Sequence, residues 1–352
     1  MSISVKMFPA GCGESFLLNI GASNILIDGG FSETYESFIK EHFVQLARRQ
    51  ERLDVVVVTH IDQDHLLGIL SFIKENGHAS TPQIIPVNDV WYNCYSSLPW
   101  STKSPLLLSS AEKDILKSYL YHRSSSQNDP QQISGVQGMG LTYHLVEGGY
   151  AINKAFDNST IDTSVPELRI GEDINIQVIS PSKAQLKNLV QHWHSELKKK
   201  RWAFNITNDP LFNQAMEAYL LYGYACFETY TEPIAITKKR LDIEKLLKIQ
   251  TSPDCSIINA SSIAFIIKSK GKRLLFLGDA HEEQILSELN RLNLDTGEVP
   301  FFDLIKVPHH GSLKNCQQLF DKIDGGGLFL TKNKISRKWQ QVPAVAHLSL
   351  GF

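Results

Sequence analysis

The chain has 352 residues, 42% of them hydrophobic and 20% charged, so it is long enough to bury one large core or two ordinary ones. Its 35 basic residues stand against 37 acidic ones, which excludes a general positive field able to hold a polyanion by itself. No apolar run approaches the roughly 20 residues that span a bilayer, so we expect no membrane partner.

The start of the chain and its cysteines bear on the cellular compartment. The first residues, MSISVKMFPAGCGESF, lack the positive end, apolar stretch and cleavage site of a secretory signal, so we expect a cytoplasmic protein. Five cysteines without a CxxC pair argue against both a disulfide framework and a thiolate zinc site.

The N-terminal part predicts a layered start in which strands alternate with helices. Short apolar runs separated by glycine turns predict strands at 4–8, 15–20 and 24–27. The run DVVVVT at 54–59 predicts a fully buried fourth strand. Apolar residues at helical spacing predict helices over 33–49 and 66–74.

The middle of the chain, about residues 90–250, is less regular. The polar stretch SSSQNDPQQISGVQGMG at 124–140 has too few apolar residues to pack, so we expect a mobile loop there. One apolar face predicts a helical segment over 183–224 that would form an inserted cap. The aromatic residues of this region would build either an apolar ligand pocket or the core of the cap.

The closing part repeats the alternation, with predicted strands at 262–267, 273–277, 304–307 and 328–331 and predicted helices at 282–292 and 313–323. The tail from residue 334 shows no comparable pattern, and we expect a flexible terminus. The simplest arrangement is a single α/β domain over 1–352 whose two sheet halves flank the inserted region.

The strongest functional signal is the segment THIDQDH, placed where the buried strand ends and a helix begins. Four side chains of metal-binding type lie within it: His60, Asp62, Asp64 and His65. At the end of a strand such groups can converge on a cation at the rim of the sheet without crossing the core. We therefore predict a metal site here.

Two later segments follow the same pattern of an apolar strand that ends in ligand-type residues. The run LLFLGD ends in Asp279, and the run LIKVPHHGS places His309 and His310 after its strand. Three strand ends thus each deliver residues of metal-binding type.

Together these motifs resemble the metallo-β-lactamase superfamily, whose members carry a histidine and aspartate motif after one strand, an aspartate after another and a histidine after a third. The nearest resemblance is to the hydrolase domain of bacterial competence DNA-uptake channel proteins and their stand-alone relatives. AGCGESFLLNI and ILIDGG also fit. The resemblance covers about residues 3–75 and 255–312, and it implies a four-layer αββα sandwich with a helical insertion.

The resemblance also implies a centre for one or two divalent ions. Carried over by position, His60 and Asp62 would face the first ion, Asp64, His65 and His309 the second, and Asp279 both. Asp62 stands where most members have a histidine, and an oxygen-rich set shifts preference from zinc toward manganese or magnesium. The identity of the metal is therefore left open between zinc and manganese.

A histidine that many members supply to the first ion is missing, because the apparent equivalent strand at 173–180 ends in Ser180. The first ion would then be weakly held. His144 is a candidate substitute, although a lone histidine on a strand is more often satisfied in a core or at a surface.

Three further residues are candidates for the site. Asp28 either accepts a hydrogen bond from a ligand imidazole or is simply the turn residue before Gly29 and Gly30. His310 and Ser312 stand at a predicted helix start, where backbone N–H groups and a hydroxyl would receive a phosphate oxygen. Ser312 is equally well explained as a helix cap.

The predicted activity is hydrolysis of a phosphodiester, with nucleic acid or a nucleotide as substrate and Asp64, Asp279 and His310 as catalytic residues. One alternative is a thioester or lactone hydrolase that uses the same site. Another is a catalytically degenerate protein of the same fold that binds a partner without turnover. The oligomeric state does not follow from the sequence.

Overall fold

The structure is a computed structural model that describes residues 3–11, 13–94, 97–99, 107–125, 134–199, 207–209, 212–213, 255–292, 300–308, 317–323, 328–330 and 346–350. The strands of these ranges form two six-stranded sheets. In the first sheet, the last described strand of the chain lies beside the first, and the next four follow in chain order; in the second sheet, the six strands lie in chain order.

The strands of the first sheet are β1 (Ile3–Met7), β2 (Phe16–Ile20), β3 (Ser23–Ile27), β4 (Val55–Val58), β5 (Val90–Tyr92) and β12 (Ala346–Leu350). Those of the second sheet are β6 (Leu168–Ile170), β7 (Ile174–Ser180), β8 (Ala264–Ser269), β9 (Lys272–Phe276), β10 (Leu304–Lys306) and β11 (Leu328–Leu330).

The helices are α1 (Ser32–Thr34), α2 (Lys40–Arg48), α3 (Gln63–Asn76), α4 (Ser110–Ser125), α5 (Ser134–Glu147), α6 (Lys183–Lys199), α7 (Ile257–Ala260), α8 (Glu282–Arg291) and α9 (Gln317–Lys322). A π-helical turn, Tyr35–Ile39, joins the first two. Within the part of the chain that is described, no helix has both the length and the apolar character needed to cross a bilayer.

Strand β4 shows how the layers are built. Its side chains alternate, so that Val55 and Val57 lie in the core between the two sheets, while Val56 and Val58 face the helices outside the first sheet. A third core covers the outer face of the second sheet and includes Ile285 of α8. The described part of the chain therefore has four layers: helices, the first sheet, the second sheet and helices again. The predicted α/β fold is confirmed.

Two predictions about irregular segments are wrong. Residues 134–140, expected to belong to a mobile loop, begin helix α5, whose Leu141 and Leu145 are buried beside α3; residues 126–133 lie outside the described part. In the tail, expected to be flexible, the described residues 346–350 form β12, which pairs antiparallel with β1; residues 334–345 lie outside the described part. Both segments gain partners that are remote in sequence, which local composition does not reveal.

The strand directions place the candidate residues together. Strands β3 and β4 are parallel neighbours, as are β9 and β10, so Asp28, Thr59 and Asp279 follow strand ends at one edge of each sheet. The two edges are joined by the Ile263 N–H, which donates to the Thr59 carbonyl at 2.9 Å. This edge of the sandwich carries the candidate residues.

Candidate metal centre

The two histidines of the THIDQDH segment lie side by side at the end of β4 and the start of α3. Their ring centroids are 4.2 Å apart, and both side chains are buried. Asp279 reaches them from the second sheet, with its Oδ2 atom 3.8 Å from His65 Nε2. One ligand atom each from His60, His65 and Asp279 lies within 4.8 Å of the other two. The fold thus gathers three of the six predicted ligands in a buried cluster.

Asp28 determines which nitrogen of each imidazole faces this cluster. Its Oδ2 atom accepts from His65 Nδ1 at 2.8 Å and from the Thr59 hydroxyl at 2.7 Å. Since the Thr59 hydrogen is used for Asp28, Thr59 Oγ1 accepts from His60 Nδ1, 3.0 Å away. Asp28 thus orients His65 directly and His60 through Thr59. Both imidazoles turn Nε2 toward the cluster.

This arrangement fits a divalent cation. Nε2 of His60 is buried and makes no hydrogen bond within the described ranges, which is costly for a polar atom unless a cation or solvent satisfies it. Imidazole nitrogens and carboxylate oxygens are common ligands of zinc and manganese. Orientation of a ligand histidine by a carboxylate on its other nitrogen is also typical of metal sites.

The remaining predicted ligands of the segment lie at the solvent side of the cluster. Asp62 Oδ2 is 3.5 Å from His60 Nε2, and Asp64 Oδ2 is 3.9 Å from His65 Nε2. The side chains of Asp62 and Asp64 are 37% and 25% exposed, whereas those of the two histidines are at most 1% exposed. The two carboxylates are thus the ones that solvent can reach.

Close backbone contacts hold the histidine segment against Asp28. The Gly29 N–H donates to the His65 carbonyl at 2.7 Å, and the Gly68 N–H donates to the Gly30 carbonyl at 2.8 Å. A Cβ atom on Gly68 would lie 2.0 Å from the Gly29 carbonyl oxygen, so no larger residue fits there. The glycines therefore let α3 begin directly on the turn that carries Asp28.

Other predicted positions fall elsewhere. His309, His310 and Ser312 lie outside the described residues. Ser180 ends β7 as expected. His144 lies on helix α5, not on a strand, and burial, together with nearby Lys74, lowers its pKa to about 4. Because α5 packs outside the first sheet, His144 does not replace the missing histidine.

Sequence reasoning missed two charged residues beside the cluster, Glu14 and Lys306. They form a buried ion pair with each other, and Lys306 Nζ also lies 3.7 Å from Asp279 Oδ1. A signal existed for Lys306, since it is the one charge in the apolar strand run LIKV. A charge inside a buried strand needs a partner, and that partner is remote in sequence.

The charges around His65 shift its protonation in the metal-free protein. Burial lowers the pKa of His65, but Asp28, Asp279 and Glu14 outweigh burial and raise it to about 10. Burial likewise opposes the charge on Lys306, while Glu14 and Asp279 raise its pKa above the ordinary value. A proton on His65 Nε2 thus faces the cluster when no cation is bound.

Without metal, the free energy of unfolding is expected to fall as pH rises from 7 to 9.5. The folded pKa of His65, about 10, exceeds its ordinary value of 6.5, so protonated His65 stabilises the fold below pH 6.5 and this contribution is lost toward pH 10. One such group changes stability by up to about 1.4 kcal/mol per pH unit. Urea unfolding in chelator measures this slope. An unchanged slope in a His65→Gln variant would contradict the assignment.

A family model described as "Metallo-beta-lactamase superfamily" matches residues 13–83. This range contains Asp28 and the whole THIDQDH segment. The match supports membership of that superfamily, in agreement with the resemblance of the motifs and the two-sheet fold.

Curated relatives match over a short part of the chain. Microtubule-associated protein 1A of Homo sapiens is 41% identical over 68 residues, which is 19% of this chain and 2% of that protein. Microtubule-associated protein futsch of Drosophila melanogaster is 33% identical over 82 residues, 23% of this chain and 1% of that protein. The match thus spans only 1 to 2% of the length of these relatives.

Solved structures of low identity also match. A metallo-β-lactamase with a HARLDQ motif from Cronobacter sakazakii is 9% identical, with a TM-score of 0.30, over 83% of this chain and 70% of that one. The metallo-β-lactamase SMB-1, bound to 2-mercaptoethanesulfonate, is 11% identical, with a TM-score of 0.31, over 90% of this chain and 82% of that one.

Proposed function

We propose that this protein is a metal-dependent hydrolase that cleaves phosphodiesters, as a phosphodiesterase or nuclease related to the hydrolase domain of the DNA-uptake channel proteins. The observation that carries the proposal is the buried cluster of His60, His65 and Asp279, with its ligand atoms within 4.8 Å of one another and Nε2 of His60 left for a cation. When bound, a divalent cation would lower the pKa of a water molecule and stabilise negative charge on the substrate.

The candidate residues would then have different roles around the bound cation. His60, His65 and Asp279 would hold the cation, with His309 as a further proposed ligand. Asp62 and Asp64, being partly exposed, are proposed as further ligands on the side of the cation that faces the substrate. The carboxylate of Asp64 is accessible enough to take a proton from the attacking water. His310 and Ser312 are proposed to contact the phosphate.

A phosphodiester is favoured over a carbonyl substrate by the balance of the ligand set. The carboxylates of Asp62, Asp64 and Asp279 make it rich in oxygen, and such sets suit hard cations that bind phosphoryl oxygens well. The alternative of a thioester or lactone hydrolase needs an apolar pocket. Trp91 does not supply one, because it lies in the core between the sheets.

A second candidate is a protein of this fold that binds a partner without turnover. It is favoured by the curated relatives, whose name describes association with microtubules and not hydrolysis. It is also favoured by Ser180, which stands where many superfamily members have a ligand histidine. Metal content and turnover together separate the two candidates.

Removal of metal is expected to abolish turnover of bis-p-nitrophenyl phosphate by the full chain. Purified protein is analysed by elemental mass spectrometry, dialysed against chelator, and assayed before and after addition of manganese or zinc. The proposal expects bound metal, loss of turnover to the level of buffer after chelation, and recovery with one of the metals.

Two results would overturn the phosphodiesterase proposal. Bound metal with turnover of a thioester or a lactone, but not of the phosphodiester, would assign the site to carbonyl chemistry. Absence of bound metal after incubation with both cations would favour the binding protein.

A further inference from the structure

We propose that Lys306 and Glu14 form a tie between the two sheets that positions Asp279 and Asp64, which makes Lys306 a positioning residue of the metal centre. The inference rests on the proposed function, because it assigns a role toward the same cation. It starts from an ion pair in which both side chains are nearly inaccessible, with 3% of Lys306 and 6% of Glu14 exposed.

The strand alternation explains why a lysine lies there. In β10, Leu304 belongs to the core between the sheets and Ile305 to the core under the outer helices. Lys306 is two residues after Leu304 and therefore shares its face. Its side chain enters the space between the sheets, where it contacts Glu14, which precedes β2 of the first sheet.

Each partner also holds the backbone of a ligand segment. Lys306 Nζ donates to the Gly278 carbonyl at 2.7 Å, immediately before Asp279, and lies 3.7 Å from Asp279 Oδ1. The Glu14 N–H donates to the Asp64 carbonyl at 2.9 Å. The pair thus links a ligand-bearing turn of the second sheet to the ligand-bearing helix start of the first.

The backbone beside Glu14 also lies against the segment that carries Asp64. A Cβ atom on Gly13 would lie 2.1 Å from the Asp64 carbonyl oxygen, so the chain before Glu14 runs directly against that carbonyl. At the other end, Gly278 has φ +50, a turn conformation that brings Asp279 back toward His65. The ion pair therefore acts at two places where the backbone lies close to a candidate ligand segment: Gly13 against the Asp64 carbonyl, and Gly278 immediately before Asp279.

Charge and position predict different effects when the pair is removed. The ammonium of Lys306 and the carboxylate of Glu14 carry no net charge together, so if charge were all that mattered, removal of both would leave metal binding nearly unchanged. If the tie positions Asp279 and Asp64, its loss weakens metal binding, because ligands must be held within about 0.5 Å of their productive geometry. A fall in metal affinity therefore supports positioning, and an unchanged affinity supports charge alone.

The test is the double variant Lys306→Met, Glu14→Gln, which removes both charges and leaves neither one buried alone. Zinc affinity is measured by competition with a chromophoric chelator, and is expected to fall about tenfold, as for other residues that orient metal ligands. In crystals of the metal-free variant, the separation of Asp279 Oδ2 and His65 Nε2, 3.8 Å here, is expected to grow by about 0.5 Å or more.

The matched control is Lys272→Met, Asp303→Asn, an ion pair of 2.9 Å at the starts of β9 and β10, far from the ends of these strands that lead to Asp279 and carry Lys306. It should leave zinc affinity unchanged. If the double variant of the tie does not fold, the Asp279 to His65 separation is measured in Glu14→Gln alone, which keeps the bond from Lys306 to Gly278, and it should still grow. Zinc affinity does not serve for this variant, because loss of a carboxylate weakens cation binding by charge alone. Zinc affinity equal to or above that of the wild type, or an unchanged Asp279 to His65 separation, overturns the proposal.

The separation is measured without metal or substrate, so the tie and the proposed hydrolysis can fail independently. A wild type that cleaves no phosphodiester would leave the geometric comparison intact. A variant with unchanged geometry would refute the tie even if the wild type is a phosphodiesterase.

Discussion

Replacement of both Asp64 and His65 by alanine is expected to remove bound metal and to lower phosphodiester turnover at least about 100-fold. Substitution of residues that only orient metal ligands costs 10 to 100-fold, so loss of two direct ligands should exceed that range. The structure supports a large effect because His65 Nε2 faces both Asp64 and Asp279. Elemental mass spectrometry and the bis-p-nitrophenyl phosphate assay measure the two losses.

The matched control for this variant replaces an aspartate and a histidine on the surface. Asp114 and His78 are both exposed, so Asp114→Ala, His78→Ala should retain metal and turnover. His65 is fully buried, and its loss also affects folding, so Asp64→Asn alone is the second test. Asp64→Asn keeps the shape of the partly exposed side chain. Full activity in a folded Asp64→Asn variant would exclude Asp64 as ligand and base.

Asparagine in place of Asp28 is expected to weaken metal binding by 10 to 100-fold and to destabilise the fold by about 3 kcal/mol. The carboxylate accepts three hydrogen bonds, from His65 Nδ1, the Thr59 N–H and the Thr59 hydroxyl. In either orientation, the amide nitrogen would place a donor against at least one of these donors and weaken the hold of this side chain on the imidazoles. Its backbone has φ 55, a conformation that asparagine tolerates, so the change acts through the side chain.

Asp54→Asn supplies the comparison for Asp28→Asn. Asp54 is also a buried carboxylate, and it accepts hydrogen bonds from the Asn24 N–H and Arg52 at the opposite end of the same parallel strands. This variant should lose stability but retain metal affinity. Zinc affinity and urea unfolding are measured for both. Equal effects of the two variants on zinc affinity would show that Asp28 acts on the fold and not on the histidines.

Most strands and the candidate ligand segments of the described region were predictable from the sequence. The run DVVVVT is apolar on both faces, and THIDQDH follows it directly, so the burial of the strand and the position of the ligands at its end are local properties. The helical segment predicted over 183–224 from one apolar face is borne out over Lys183–Lys199, and most of its remainder lies outside the described residues. These features need only residues that are neighbours in the chain.

Partners remote in sequence decided the rest. Helix α5 forms in a stretch of polar composition because it packs beside α3, and β12 forms because the edge of β1 supplies backbone hydrogen bonds. Neither partner can be recognised in the segment itself.

The site shows the same division between sequence and structure. The sequence determined which residue types stand at the strand ends, and it indicated that Asp28 could orient an imidazole. Only the tertiary structure decided that Asp28 serves both His60 and His65, through Thr59 for the former, and that Lys306 contacts Glu14 across the sheets. Periodicity specifies the face on which a side chain lies, whereas the packing of the two sheets specifies what that face contacts.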